Sequence, residues 1–149
     1  MQMNADAAGR LSIALERLVR SLRTAAVDEA LSPSAAAVLS RLDADGPDGI
    51  TGLARAERVS QPSMTQLVAR LVADDLVARE PSIQDRRSVV VSLTPAGRLA
   101  LDERRQRRAA RLLDALERLD AQARDDVASS LTAIEHLAGV LAQTPGRTR

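Results

Sequence analysis

Asp85-Arg86-Arg87-Ser88-Val89-Val90-Val91-Ser92-Leu93-Thr94-Pro95-Ala96-Gly97 is the stretch whose reading decides the fold. It sets an acid and two arginines in a loop and follows them with a β-branched run suited to a strand. It ends on a threonine that can cap a helix opened by proline. Upstream, Val59-Ser60-Gln61-Pro62-Ser63-Met64-Thr65-Gln66 reads as a turn followed by a helix start, with Ser60 as the cap. Two short strands are expected between and after these signals, at about 76–79 and 89–93, with a connecting loop from 80 to 88.

Helical spacing organises the rest. Leu11, Leu15, Leu18, Val19 and Leu22 recur on one face and predict a first helix over roughly 5–28. Ser32-Pro33 opens a second, which carries Val38, Leu39 and Leu42 and stops at the breaker cluster Asp45-Gly46-Pro47-Asp48-Gly49. Thr51 is expected to cap a short third helix reaching about Arg58, and a fourth should span about 61–74. In that fourth helix Met64, Leu67, Val68, Leu71 and Val72 form the apolar stripe. Gln61, Pro62, Thr65, Gln66, Ala69 and Arg70 lie opposite, with Ser63 at the edge. Thr94-Pro95 opens a long helix to about Leu119, with Ala109, Leu112, Leu113, Leu116 and Leu119 as apolar positions. Asp120 can cap a last helix carrying Val127, Leu131, Ile134, Ala138 and Leu141. Residues 144–149 form a loose tail.

Composition narrows the chemistry. The 149 residues contain no Cys, so disulfides, thiolate metal sites and cysteine nucleophiles are excluded. There is no Phe, Tyr or Trp, so the core must be built from Leu, Val, Ile, Ala and Met; every basic side chain is arginine. The start, Met1-Gln2-Met3-Asn4-Ala5-Asp6, shows no secretory signal, and no run is long and apolar enough for a membrane span. A net charge of +1 hides an uneven distribution. From 79 to 111 nine arginines face four acids; from 112 to 143 two face six. One region therefore suits a polyanion and another does not.

Each motif has two readings. Residues 51–74 fit a helix-turn-helix whose second helix enters the major groove, where Gln pairs with adenine and Ser and Thr contact several base edges. They also fit an ordinary helical hairpin with a solvated face. The loop carrying Asp85, Arg86 and Arg87 fits a minor-groove arginine, Arg87, braced by Asp85, with Arg86 left for phosphate. Taken alone, it equally fits a surface turn with a local ion pair. Immediately after a helix-turn-helix, the first reading gains. The cluster Arg104, Arg105, Arg107, Arg108 and Arg111 reads as a solvated face or as pairing with acids of a partner subunit, and less readily as a contact to flanking DNA. His136, the single histidine, is offset from its helix's apolar stripe and has no companion ligand, so no metal site is expected. No phosphate loop or nucleophile–base pair is present, so neither an enzyme nor a cofactor is expected.

The order helix-helix-helix-helix-strand-strand-helix-helix is mainly α with a small β-hairpin wing (α+β). It describes a winged helix-turn-helix domain plus a helical dimerisation region. The dimerisation region comprises 1–30 and 95–143, and the DNA-binding domain 31–94. The first and last two helices carry more apolar surface than the central domain can cover, which a two-fold dimer resolves.

From Leu53 to Gly97, with the acid-x-Arg wing Asp85-Arg86-Arg87 and the closing Leu93-Thr94 and Gly97, the chain resembles the MarR family of bacterial transcription regulators. The resemblance implies a cytoplasmic homodimer that binds a pseudo-palindromic operator in double-stranded DNA, usually as a repressor, and associates with the nucleoid when bound. It places Gln61, Pro62, Ser63, Thr65 and Gln66 in the major groove, Arg87 with Asp85 in the minor groove, and Arg58, Ser60, Arg70 and Arg86 against phosphates. Dimerisation falls to Leu11, Leu15, Leu18, Leu112, Leu116, Leu119, Leu131, Ile134 and Leu141. Two departures stand out. The glycine frequent before the first wing strand is replaced by Asp75, which tolerates a left-handed backbone better than most residues. The absence of Cys and aromatic residues removes oxidant sensing through thiols and leaves any small-molecule effector a pocket of aliphatic walls and arginines. The rival reading is a winged-helix protein-interaction module without DNA binding.

Overall fold

A computed structural model describes residues 5–24, 31–82 and 89–143. The elements run α1 (Ala5–Thr24), α2 (Pro33–Asp45), α3 (Ile50–Ala56), α4 (Gln61–Ala73), β1 (Val77–Pro81), β2 (Val89–Leu93), α5 (Pro95–Glu117) and α6 (Ala121–Gln143). This is the mainly α, winged arrangement the sequence predicts. The chain divides into two compact units, one ending at Arg108 and the other beginning at Ala109.

Capping side chains set the helix starts. Ser32 Oγ accepts the Ala35 amide, Ser60 Oγ the Ser63 amide, Thr94 Oγ1 the Gly97 amide and Asp120 Oδ1 the Ala123 amide. Each satisfies an amide that the first turn leaves without a helical partner. The third helix departs from the expected start. Gly49, not Thr51, is its cap residue and offers no side chain. Asp48 Oδ1 instead accepts the Gly49 amide at 2.7 Å, so the helix begins one residue before Thr51.

α3 and α4 end in the same way. At the end of α3 the Val59 amide donates to the Ala54 carbonyl and the Arg58 amide to Arg55; at the end of α4 Leu76 donates to Leu71 and Asp75 to Val72. Both are Schellman closures, which need a left-handed residue at the turn. Arg58 (φ 55°) and Asp75 (φ 57°) supply it, without glycine. The tolerance expected of Asp75 is thus used.

The hairpin is antiparallel, with Val77 opposite Leu93, Arg79 opposite Val91 and Pro81 opposite Val89. β1 runs two residues beyond its expected end, shortening the loop. Pro81 fits because β1 is the outer strand, where a missing amide breaks no ladder. On the other side of β2, Asp48 and Val91 exchange backbone hydrogen bonds at 3.1 and 2.8 Å, tying the α2–α3 connection to the wing.

Leu39, Leu53, Met64, Val68, Val77, Val91 and Leu101 form the buried centre of the first unit, at 0–2% exposure. It is aliphatic throughout, as the composition requires. Val72, expected in the stripe of α4, is 38% exposed. It sits in the last turn at the flank of the stripe, one residue round from the buried Leu71. In α6, fully within the described residues, no side chain is buried.

Candidate nucleic-acid interface

The core residues of α4 define its outer surface. Met64, Val68 and Leu71 anchor the helix at 1%, 0% and 2% exposure, which turns Gln61, Pro62, Ser63, Thr65, Gln66, Ala69 and Arg70 to solvent. The residues assigned to the major groove therefore share one exposed face, with Arg70 a further turn along it. Arg58 and Ser60 are exposed in the turn before the helix.

Local hydrogen bonds divide the work on this face. Ser60 Oγ is taken up by its cap and by a 2.8 Å hydrogen bond shared with Ser63 Oγ. Thr65 Oγ1 donates to the Gln61 carbonyl at 2.9 Å, which leaves its oxygen able to accept. The Gln61 and Gln66 amides have no partner among the described residues. They remain available to read a base edge with a paired donor and acceptor. The first turn of α4 carries no acidic residue, so no negative side chain within it offsets the positive end of its dipole.

Arg41, which sequence reasoning did not single out, holds the turn in place. From α2 its Nε donates to Glu57 Oε1 at 3.1 Å and its Nη1 to Asp45 Oδ2 at 2.9 Å. Glu57 immediately precedes the left-handed Arg58. Its partner lies 16 residues away, a contact no local pattern announces.

Asp85, Arg86 and Arg87 lie outside the described residues. The strands that carry their loop do not: Arg79 and Glu80 are exposed on β1, and Val89 is exposed at the start of β2. In the arginine cluster of α5, Arg105 and Arg107 are exposed, as a solvated face requires, and Arg104 departs from that expectation. Arg104 is 2% exposed and donates through Nη1 to the Leu31 carbonyl of its own chain at 2.7 Å; Arg105 pairs with Asp43 and Asp102, also in its own chain. Leu11, Leu15, Leu18, Leu112, Leu119, Leu131, Ile134 and Leu141 are all exposed in the single chain, and Leu116 is half-buried. His136 is exposed, as expected.

The MarR family model matches residues 31–89, the segment that holds the helix pair and the first strand. An uncharacterized HTH-type transcriptional regulator of Mycobacterium leprae is 34% identical over 125 residues, covering 84% of this chain and 87% of the relative. The crystal structure of a transcriptional regulator from Thermotoga maritima aligns with a TM-score of 0.75 at 18% identity, covering 92% of this chain and 99% of that one. A MarR family protein from Bacillus stearothermophilus aligns at 0.74 and 19% identity, covering 95% and 100%. The structures establish likeness of fold, and the curated relative carries the likeness into sequence. The chain belongs to the MarR family of winged helix-turn-helix transcription regulators.

Proposed function

We propose that the protein is a homodimeric, cytoplasmic repressor, with no enzymatic activity, that occupies a pseudo-palindromic operator. The face of α4 carries the reading: a row of amide and hydroxyl side chains turned to solvent by three buried anchors, on a helix whose first turn holds no acid. Gln61, Pro62, Ser63, Thr65 and Gln66 enter the major groove, while Arg58, Ser60 and Arg70 meet phosphates. Arg87, braced by Asp85, enters the minor groove and Arg86 meets the adjacent backbone. α1, α5 and α6 supply the dimer contacts through their exposed leucines.

A cavity of about 360 Å³ supports a small-molecule effector. Its walls include Val19, Ala36, Leu101, Arg104 and Arg108, and Arg108 Nε is buried without a partner among the described residues. The lining suits an anion with an apolar body, its charge toward the arginines and its body against the aliphatic walls. Occupancy would favour dimers whose recognition helices are wrongly spaced for the operator.

Gel shift with the gene's upstream region and with genomic fragments tests the reading. A complex that prefers one sequence and weakens steeply with salt is the expected result. A folded dimer with no sequence-preferring complex on any fragment would instead favour a protein-interaction module.

A further inference from the structure

Arg104 and Arg105 are neighbours in sequence, yet they reach opposite ends of α2. Arg104 Nη1 donates to the carbonyl of Leu31, two residues before α2 begins. Arg105 Nη2 donates to Asp43 Oδ2 at 3.0 Å, two residues before α2 ends. Arg98, about two turns earlier on the same face of α5, takes the other carboxylate oxygen, Oδ1. Asp102 Oδ1 steadies Arg105 from within α5 at 3.1 Å. The hydrogen bond to Asp43, more than any other contact, raises the proton affinity of Arg105 further, so its charge is permanent.

Among the described residues, these contacts add a directional constraint to the packing of α2 on α5. α5 sends one large apolar side chain, Leu101, fully into the core. Apolar burial is non-directional and would by itself let α2 turn or slide against α5, whose start is tied to the α4–β1 connection rather than to α2. Oriented hydrogen bonds at both ends of α2 do not. Asp43 is the hub, with its side chain only 15% exposed while those of Arg98 and Arg105 are 58% and 51% exposed. An isolated exposed pair contributes little to stability. Two guanidiniums on one largely buried carboxylate, beside a buried Arg104, define an angle rather than add much stability.

We infer that the Arg98–Asp43–Arg105 bracket is a positioning device: it fixes the orientation of α2, and with it the helix-turn-helix, on α5, and so sets the half-site spacing that the dimer accepts. The inference rests on the operator-binding reading. Asp43 and its arginines touch no DNA in this scheme; they act through the placement of α4.

Asp43→Asn removes the charge the two arginines share, and Asp43→Glu restores it. Affinity is measured on the selected operator and on versions with the half-sites moved one base pair closer or farther. Asp43→Asn should keep a folded dimer and lose about five- to ten-fold affinity at the native spacing, the scale of a typical coupling between sites. It should lose less at the altered spacings, which flattens the preference, and Asp43→Glu should recover it. An equal loss at every spacing, or none, overturns the bracket. A second readout needs no DNA. Because the chain has no Cys, Ala69→Cys places one spin label on α4 of each subunit. Asp43→Asn should broaden the distance distribution between them. Broadening, together with an unlabelled wild type that binds no operator, would refute the regulator reading and keep the bracket; an unchanged width alongside an unchanged spacing preference refutes the bracket alone.

Discussion

Thr94 Oγ1 donates to the carbonyl of Asp75 at 2.6 Å and accepts the amide of Gly97 at 2.9 Å. One hydroxyl thus joins the end of α4 to the start of α5, across the base of the wing. The Thr94 amide adds a second tie, donating to the Leu76 carbonyl at 3.2 Å. Thr94→Val keeps the shape and removes both side-chain bonds. It should cost about 1–2 kcal/mol, the range for a lost cap and one further hydrogen bond. A lower urea midpoint at unchanged slope checks this. Thr94→Ser should recover most of the loss.

Gly97 owes its place to a close approach. A methyl group there would overlap the carbonyl of Leu76 and crowd Leu93. That carbonyl is already held by the Thr94 amide, so it cannot yield cheaply. Gly97→Ala should destabilise by about 3 kcal/mol, the upper range for overpacking a tight site. Asp75→Gly should act in the opposite direction. At φ 57° glycine relieves strain of about 1–2 kcal/mol, less the entropy it adds to the unfolded chain, for a net gain below about 1 kcal/mol. Thermal unfolding of both variants tests the pair.

The two sites show what a sequence can and cannot disclose. Ser32, Ser60, Thr94 and Asp120 were legible as caps because each bonds an amide three residues on, inside the window a local pattern covers. The apolar stripe of α4 was legible for the same reason, and it failed only at Val72, which lies on the flank of the stripe beside the buried Leu71. Thr51 was misread as a cap because Asp48, outside the helix, orders the turn from upstream. Arg41–Glu57 and Arg104–Leu31 were not legible at all. They join residues 16 and 73 apart, and an arginine looks the same in a sequence whether it meets solvent, DNA or a buried carbonyl.

Gln66 and Arg70 should separate reading from holding. Gln66→Ala removes a free amide from the exposed face of α4 and should weaken the preferred site by about 1–3 kcal/mol while relaxing its sequence preference. Arg70→Ala should weaken all sequences alike and lower the salt slope by about one. Binding titrations at several salt concentrations, on the selected and on scrambled DNA, distinguish them. A salt-slope change for Gln66→Ala with no change in preference would move that residue from base to backbone.

Arg87 carries a prediction from the sequence alone. Arg87→Ala should weaken operator binding by roughly 1–3 kcal/mol without loss of the folded dimer. The loss should be greatest on sites whose flanks are A·T-rich, where the narrow groove concentrates negative potential. Equal affinity of variant and wild type on such a site would remove the minor-groove role and leave Asp85 nothing to brace.

The apolar face of α6 requires a cover, and a second copy of the chain supplies the simplest one. Leu131, Ile134 and Leu141 are 55%, 50% and 62% exposed in the single chain. In a two-fold interface each substitution enters twice, so its cost to association is doubled relative to its cost within one subunit. Leu131→Asp with Ile134→Asp would bring four carboxylates into an apolar contact with no basic partner designed for them. Light scattering should then report the mass of one 15.9 kDa chain instead of two. The helical signal should persist, because neither residue is buried in its own subunit. Operator affinity should collapse with the dimer, since a single half-site no longer gains from its neighbour's binding. Retention of the dimer mass would move the interface away from α6 and onto the leucines of α1 and α5.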